Sequence, residues 1–547
     1  MEKQNFSYYN VTKFNSIKEM LDIAVAEAGN KVAFRFKENN GEIVDIKYSD
    51  FAQQINWLGS ALAEIGFSDK HIACIGSNSY KWILTYLTAL KGAGVYVPID
   101  KELPFNDILH ILNESESSIV FYAKAHEKQF MDNTDKLPNV KFYIGFDREE
   151  DSGNFLSFYK FIEHGKKCDS TKYNSLTSDP NALKMLVYTS GTTGIAKGVM
   201  LSEHNLVSSV YYGLQVSTVY DTCLSVLPYH HTYEAVSGIL VSLHHHSTIC
   251  INDSLNAVMK NMQLYKPSYI YLVPAFAELF HSRITKNIKE TGKEKVFYKL
   301  ISFSNILRRL GIDLRKTFFK SIHTAFGGRL RKIVCGGAPI RPEVGKFFDD
   351  IGISLINGYG ITECSPLVCA NHDMFNDYHT AGIKLPCLDW RIDSPNEEGI
   401  GEICVKGDVV MLGYYKQPEK TAEVLKDGWF FTGDYGYINN KQQLVITGRK
   451  KNIIVLNNGK NIYPEEIEGY IQSIDYVVEV VVRGLLDNKG DENSLIAEVF
   501  LSEEKTSEEV LKDIKKLTHE LPTYKQVSKV VIRTVEFDKT TSKKIRR

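Results

Sequence analysis

The sequence lacks several features that would place a protein in a special class. It has no run of the roughly 18 apolar residues that a membrane-spanning helix needs. Its first residues have no apolar core of the kind found in signal peptides. The nine cysteines include no C-x-x-C pair, so no metal site built on cysteine is expected. Together these absences predict reduced thiols and a cytoplasmic protein.

The chain also lacks an excess of either charge, with 65 lysines and arginines against 66 aspartates and glutamates. This balance argues against nucleic acid or another polyanion as a partner of the whole chain. Hydrophobic residues make up 43% and charged residues 24%, as in folded globular proteins. At 547 residues the chain is too long for one ordinary domain. No pattern in the sequence predicts an oligomeric state.

Short apolar runs alternate with amphipathic stretches along most of the chain. Residues 71–76 have the composition of a strand, residues 80–90 that of a helix, and residues 94–99 that of the next strand. This order predicts an α/β domain with a mostly parallel sheet. After about residue 450 the pattern changes to strands at 477–482 and 495–501, followed by a helix with a possible capping box from Thr506 to Glu509. A second, small α+β domain is therefore predicted.

A loop rich in hydroxyl groups and glycine follows an apolar strand at residues 186–188. Glycine lets backbone N–H groups approach an anion, and the hydroxyls and the lysine supply further donors. The loop is not a Walker A motif, because Ala196 precedes the lysine and Gly198 replaces the serine or threonine that follows it. The candidate phosphate-binding residues are Thr189, Ser190, Gly191, Thr192, Thr193, Gly194 and Lys197.

This loop resembles the phosphate loop of the adenylate-forming, or AMP-binding, enzymes. That superfamily includes acyl-CoA synthetases, adenylation domains of peptide synthetases, and luciferases. Further similar segments follow in the family's order at residues 227–234, 336–339, 358–363, 428–434, 448–449 and 459–465, with a lysine-rich end. The resemblance runs from about Tyr188 to Arg547, with a fainter match at residues 94–100.

The resemblance implies a large N-terminal adenylate-forming domain with mixed and parallel sheets and helices, over residues 1–447. A hinge at residues 448–452 and a mobile α+β C-terminal domain over residues 453–547 would follow. In the family the small domain swings between adenylation and thioester-forming poses. Asn452 stands where the family usually has Asp or Lys, and asparagine tolerates the unusual backbone angles of a pivot.

The resemblance also assigns residues to the nucleotide. The adenine-binding segments correspond to Gly336, Gly337, Ala338, Pro339, Gly358, Tyr359 and Gly360. Tyr359 offers a flat face for the base, and glycines on either side of it remove side chains that would obstruct the base. Asp434 and Arg449 would contact the ribose hydroxyls. ATP is the implied cofactor.

The implied catalytic residues are Lys544, Thr362, Glu363 and His231. Thr362 and Glu363 suit the α-phosphate and Mg²⁺, with Glu363 as the metal ligand. Lys544 would bridge the attacking oxygen and the phosphate. Asp538 and Lys543 stand where the family has proline and glycine, so Lys543 remains a rival for the role of Lys544.

The implied reaction forms an acyl-adenylate from ATP and a carboxylic acid and then transfers the acyl group to coenzyme A. Residues 230–238 resemble the long-chain acyl-CoA synthetases, in which a glutamate occupies the position of Glu234. The segment has no aspartate of the kind that holds an amino-acid ammonium group. A fatty acid of medium to long chain is therefore the expected substrate.

Three alternatives stay open at this point. In the first, the acid is a shorter or aromatic one. In the second, the acceptor is an acyl carrier protein. Carrier-protein-loading relatives often have an insertion corresponding to residues 449–465, and none is visible here. A binding module without catalysis is disfavoured because the phosphate loop, Glu363, Asp434 and Lys544 all occur in one chain.

Residues 283–332 have a strong local positive charge, with lysine or arginine at 14 positions and only three acids. Phenylalanine, leucine and isoleucine are interleaved with these bases. This pattern predicts a peripheral contact with an anionic membrane. The alternative is a packed helical insertion with a solvated basic face.

Overall fold

The structure is a computed structural model. It describes residues 6–38, 40–189, 196–456, 460–486, 492–539, 545 and 547, without the side chains of 486, 492 and 493. Among these residues no helix is both long and apolar enough to cross a lipid bilayer.

The strands are mostly short. They are formed by runs of β-branched and aromatic residues, which favour strands. They are β1 Val32–Lys37, β2 Ile43–Lys47, β3 His71–Ile75, β4 Val95–Ile99, β5 Ile119–Tyr122, β6 Phe142–Gly145, β7 Phe155–Ser157, β8 Leu183–Thr189, β9 Lys197–Ser202, β10 Thr222–Ser225, β11 Thr248–Ile251, β12 Tyr269–Leu272, β13 Lys332–Cys335, β14 Ser354–Gly360, β15 Leu367–Ala370, β16 Ile383–Lys384, β17 Leu388–Asp393, β18 Gly401–Gly407, β19 Gly413–Tyr414, β20 Leu425–Lys426, β21 Trp429–Ile438, β22 Leu444–Arg449, β23 Ile454–Val455, β24 Asn461–Ile462, β25 Val477–Leu486, β26 Glu492–Leu501 and β27 Val527–Arg533.

The helices lie in the connections between these strands, except α1, which precedes β1. They are α1 Ile17–Ala28, α2 Tyr48–Glu64, α3 Tyr80–Lys91, α4 Phe105–Glu114, α5 Glu127–Met131, α6 Phe158–Gly165, α7 Thr171–Asn174, α8 Glu203–Val216, α9 Val241–His244, α10 Val258–Tyr265, α11 Pro274–Glu290, α12 Glu294–Arg309, α13 Arg315–Phe318, α14 Lys320–Ala325, α15 Pro342–Asp350, α16 Pro418–Val424, α17 Pro464–Ile471 and α18 Ser507–Leu517. A π-helix, Tyr233–Leu240, precedes α9.

The chain divides into two compact units. The larger unit comprises Lys3–Asp389 and Lys406–Gly428, and the smaller comprises Trp390–Val405 and Trp429–Arg547. The domain bounds at 447 and 453 and the hinge at 448–452 stay predictions.

The larger unit contains two sheets that are parallel in their centres. One has the order β16-β15-β14-β13-β12-β10-β11-β1-β2, and the other has the order β19-β9-β8-β4-β3-β5-β6-β7. In the second sheet β3 pairs in parallel with both β4 and β5. The predicted α/β class with a mostly parallel sheet is confirmed. Parallel strands are covered on both faces, and their side chains are correspondingly buried, as in β5 and β12.

The smaller unit is α+β, as predicted. Its β25-β26-β27 sheet packs against α17 and α18 around a core that includes Ile467, Val482, Val499 and Ile514. The predicted capping box of α18 is present, since the Thr506 hydroxyl accepts from Glu509 N–H and the Glu509 carboxylate accepts from Thr506 N–H. A separate antiparallel arrangement in this unit joins β18, β21 and β22.

Candidate functional site

Two neighbouring strands of the larger unit carry the first and last residues of the predicted phosphate loop, Thr189 and Lys197. Strands β8 and β9 are antiparallel, and Thr189 is directly opposite Lys197 in their register. Both residues are half-buried. The residues Ser190, Gly191, Thr192, Thr193 and Gly194 lie outside the described part of the chain. The pairing of β8 with β9 therefore places Thr189 and Lys197 next to each other.

Lys197 and Glu363 both contact a tyrosine that lies between them. Tyr414 Oη donates a hydrogen bond to Glu363 Oε1 over 2.9 Å. Lys197 Nζ lies 5.0 Å from the centroid of the Tyr414 ring, a cation–π contact. Burial and the carboxylate of Glu363 raise the pKa of Tyr414, so it stays a hydrogen-bond donor at neutral pH. Two of the predicted site residues are thus brought together through a third side chain.

A short 3₁₀ turn, Thr362–Cys364, carries Thr362 and Glu363 directly after β14. The backbone N–H of Met411 donates to the Glu363 carbonyl oxygen over 2.9 Å, which holds the turn. Within the described residues no group of three or more His, Cys, Asp and Glu side chains is arranged to bind a metal. Mg²⁺ usually binds through one or two carboxylates plus substrate phosphates. The single carboxylate of Glu363 fits a site of that kind.

The two predicted adenine-binding segments follow neighbouring parallel strands. Gly336–Pro339 comes directly after β13, and Gly358–Gly360 ends β14, with Cys335 paired to Asn357 in the register. Ligands of open α/β sheets bind at such carboxyl ends. The structure adds a second reason for the glycine at 360, because a Cβ atom there would lie 2.5 Å from the Pro366 carbonyl oxygen.

A cavity with about 90 Å³ of accessible space opens beside these glycines. Its described lining contains no charged side chain and comes from α8, the π-helix, β12, β13, β14 and β15. The residues are Ser209, Gly213, Ser217, Val219, Tyr233, Ser237, Val241, Tyr271, Val334, Cys335, Gly336, Gly337, Ile356, Gly358, Tyr359, Gly360, Pro366, Leu367 and Ala370. The cavity can therefore hold an apolar group beside the predicted adenine segments. Tyr359 forms part of its wall and is only 8% exposed.

His231 lies in a tightly held segment before the π-helix. Asn78 binds this segment at two points, donating to the Leu227 carbonyl over 2.8 Å and accepting from Tyr229 N–H over 3.1 Å. The His230 and His231 rings are 4.2 Å apart. His230 Nε2 lies 3.5 Å from the carboxylate of Asp100, and burial lowers the pKa of His230 despite that carboxylate.

Glu234 on the π-helix is completely buried. Its Oε1 lies 2.5 Å from Ser225 Oγ, which in turn lies 3.0 Å from Tyr229 Oη. Burial raises the pKa of Glu234 to about 8, although the hydrogen bonds from Ser225 and from the Leu227 backbone act in the opposite direction. Glu234 is therefore a neutral carboxylic acid at neutral pH, next to cavity-lining residues Tyr233 and Ser237.

The predicted ribose contacts lie in the smaller unit and are adjacent to each other. Asp434 on β21 is opposite Arg449 on β22, and Arg449 Nε is 3.1 Å from Asp434 Oδ1. The Asp434 side chain is 6% exposed and that of Arg449 is 50% exposed. Lys543 and Lys544 lie outside the described residues.

Comparison with protein families decides the class of this arrangement. The AMP-binding enzyme model matches residues 21–415, and the model of the AMP-binding enzyme C-terminal domain matches residues 451–547. The chain belongs to the AMP-binding enzyme family. The first of these matches contains β8 and β9, the cavity, His231 and Glu363, and the second contains the lysine-rich end.

Two curated relatives of this AMP-binding enzyme act on fatty acids according to their names. It is 28% identical to fatty acyl-CoA synthetase B of Dictyostelium discoideum, over 82% of this chain and 72% of that one. It is 29% identical to human long-chain-fatty-acid–CoA ligase 1, over 80% of this chain and 67% of that one. A similar solved structure is the anthranilate CoA ligase AuaEII with anthranoyl-AMP, at TM-score 0.78, 18% identity, and coverage of 100% and 97%. This last likeness shows the fold alone.

Several residues of this AMP-binding enzyme's site were not predicted from the sequence. Tyr414 is 51 residues from Glu363 in the chain, and no pattern in the sequence indicates that they meet. The small residues of α8 that open the cavity, Ser209 and Gly213, have no local signal either. Asp100 does have one, since it ends the faint family match at residues 94–100.

Proposed function

We propose that this AMP-binding enzyme activates a fatty acid of medium to long chain as acyl-AMP and transfers it to coenzyme A. The chain is thus an AMP-forming acid–CoA ligase. The observation that carries the choice of acid is the uncharged cavity beside Gly336 and Tyr359.

The lining of the cavity argues against acids that carry a second charge. Burying an ammonium group or a second carboxylate without a partner costs several kcal/mol (order of magnitude), and the described lining offers no opposite charge. A hydrocarbon chain instead gains about 0.8 kcal/mol for each CH₂ group that leaves water. Amino acids and dicarboxylic acids are therefore poor substrates in this proposal. The names of the two curated relatives agree with a fatty acid.

The first step joins a carboxylate oxygen of the fatty acid to the α-phosphorus of ATP. The bond from that phosphorus to the bridging oxygen breaks, and pyrophosphate leaves with the electron pair. In the second step the sulfur of coenzyme A attacks the acyl carbon, AMP leaves, and the thiol proton passes to solvent. Negative charge gathers near the α-phosphate in both steps. Hydrogen-bond donors and cations that are already oriented toward it therefore contribute most of the catalysis.

The contacts of the described side chains support the following proposed roles. Lys197, at the base of the loop, binds phosphate, and Thr362 donates to the α-phosphate. Glu363 would hold Mg²⁺, which supplies positive charge against the phosphates when bound. Tyr414 keeps the Glu363 carboxylate oriented through its hydrogen bond. We assign His231 to the junction of the acid and the phosphate, as the family resemblance implies.

The remaining roles follow the family resemblance. We assign binding of the ribose to Asp434 and Arg449, and binding of adenine to Gly336–Pro339 and Gly358–Gly360. We assign to Lys544 the positive charge that bridges the attacking oxygen and the phosphate. A cytoplasmic location and a peripheral contact of residues 283–332 with an anionic membrane complete the proposal.

The substrate proposal is tested by pyrophosphate release across unbranched acids from acetate to palmitate, with benzoate, anthranilate, malonate and an amino acid for comparison. Each acid is assayed with coenzyme A, with an acyl carrier protein, and with neither. We expect kcat/KM to rise with chain length and sustained turnover with coenzyme A. A kcat/KM that is highest for an aromatic acid would contradict the assignment of a fatty acid as substrate. Turnover only with the carrier protein would contradict the assignment of coenzyme A as acceptor.

A further inference from the structure

The outer face of α12 is apolar and exposed. Val296, Tyr298, Phe303 and Ile306 are 59%, 50%, 52% and 55% exposed, and Leu310 just beyond the helix is 71% exposed. Ile312 and Leu314 continue the exposed apolar run. Exposed apolar side chains that occur singly need no explanation, whereas contiguous ones mark an interaction surface.

The inner face of the same helix is firmly packed. Phe297, Ile301 and Ser304 are buried, and the Phe297 ring packs edge-on against Phe319. Phe297 and Ile301 belong to a core cluster that also contains residues of β12, β13 and β14. The helix is therefore anchored in the larger unit. Its packed inner face determines which side chains point outward.

Basic residues are interleaved with the apolar ones on this outer face. Lys295, Lys299, Phe303 and Ile306 line one shallow groove, together with Glu294, Tyr298 and Ser302. Arg309 is exposed one turn further along. The spacing of three and four residues puts all of these side chains on one side of the helix.

Other bases of residues 283–332 are engaged inside the protein. Lys332 is fully buried and forms an ion pair with Asp373. Arg308 and Arg315 both pair with Asp349. Exposed bases remain on α11 and α12, and also at Lys316, Lys320 and Arg331, so the surface available to a partner is smaller than the sequence predicted but is not confined to α12.

We propose that the outer face of α12 and the turn after it, from Lys295 to Leu314, docks on the surface of an anionic lipid bilayer. Apolar side chains would enter the headgroup region while Lys295, Lys299 and Arg309 contact lipid phosphates. A second copy of the chain fits less well, because a two-fold interface places the same bases against each other.

The test is flotation of the full chain with vesicles of phosphatidylcholine alone or of phosphatidylcholine with phosphatidylglycerol. Strong binding to the anionic vesicles that weakens with salt is expected. Each lysine contributes roughly a fivefold factor to membrane affinity, so Lys295→Gln with Lys299→Gln should weaken the partition coefficient by about 25-fold. Phe303→Ser with Ile306→Ser should weaken it by about tenfold or more.

Two matched variants change equally exposed residues elsewhere in the larger unit. Lys124→Gln with Lys128→Gln removes two exposed lysines with the same spacing, and Tyr159→Ser removes an apolar side chain that is 71% exposed. Both should bind vesicles like the wild type. Circular dichroism checks that every variant is folded.

Several results would overturn the proposal: no vesicle binding, equal binding to both lipids, or equal loss in the matched variants. Self-association in solution that the α12 variants abolish would also overturn it, since the face would then be an interface between copies. Activation of a water-soluble acid, measured without vesicles, should be unchanged in all variants. The membrane proposal and the catalytic proposal can therefore fail separately.

Discussion

Glu234→Gln is expected to stabilise the larger unit, by an amount that grows with pH. In the folded protein, burial raises the pKa of Glu234 from 4.5 to about 8. The folded state therefore keeps this proton over a pH range in which the unfolded chain has lost it. Wild-type stability falls as pH rises through that range, because the folded state binds more protons than the unfolded state. Glutamine does not titrate and keeps the acceptor oxygen that faces Ser225.

The magnitude follows from the size of the pKa change. One pKa unit corresponds to about 1.4 kcal/mol, so the difference in unfolding free energy between Glu234→Gln and wild type should grow by about 1.4 kcal/mol per pH unit. Between pH 5 and pH 7 this amounts to about 3 kcal/mol. Urea unfolding at several pH values, with refolding as a check of reversibility, measures the difference.

A matched variant separates the loss of the titrating carboxyl group from the loss of a hydrogen bond. Ser225→Ala removes a hydrogen bond to Glu234 but leaves the carboxyl group, so its stability should keep the wild-type dependence on pH. Difference infrared spectra of wild type and Glu234→Gln should show a protonated carboxyl group at pH 7. An ionised Glu234 at pH 7, or a stability difference that does not change with pH, would refute the reasoning.

Tyr414→Phe should raise the Mg²⁺ concentration for half-maximal activity by about tenfold or more, because a hydrogen bond to a charged group contributes about 1.5–3 kcal/mol; Tyr415→Phe is the control. Glu363→Gln should raise the same Mg²⁺ requirement more strongly, and an unchanged magnesium titration would remove Glu363 from the site. Gly213→Phe should shift the preference toward shorter acids by filling the cavity, whereas Gly213→Ala should not, because its Cβ atom makes only an ordinary contact of 3.4 Å with Leu367. Lys544→Ala should lower adenylate formation by ~10²–10³-fold while acyl transfer from supplied acyl-AMP continues; if Lys543→Ala is the inactive variant, the assignment at the lysine-rich end is wrong.

Local patterns predicted the elements that depend on local forces. The alternation at residues 71–99 corresponds to β3, α3 and β4, with bounds within one residue. Thr506 and Glu509 form their capping box because both partners lie within one helical turn. Those features require no knowledge of distant segments.

Features that depend on distant segments were not predictable in this way. The contact of Tyr414 with Glu363 requires β19 to pair with β9, which is more than 200 residues earlier in the chain. The protonation of Glu234 depends on complete burial, which the polar character of a glutamate does not suggest. Likewise, Lys332 counts as a surface base in the sequence, yet β13 places it in the core beside Asp373.

In the proposed reaction the acid is activated as an acyl-adenylate before coenzyme A takes part. The most direct measurement is exchange of labelled pyrophosphate into ATP by the full chain, with a long-chain fatty acid and Mg²⁺ but without coenzyme A. We expect exchange that depends on the fatty acid, and conversion of the bound adenylate to AMP and acyl-CoA when coenzyme A is added. Absence of exchange until coenzyme A is present, or release of ADP and phosphate instead of AMP and pyrophosphate, would contradict the account.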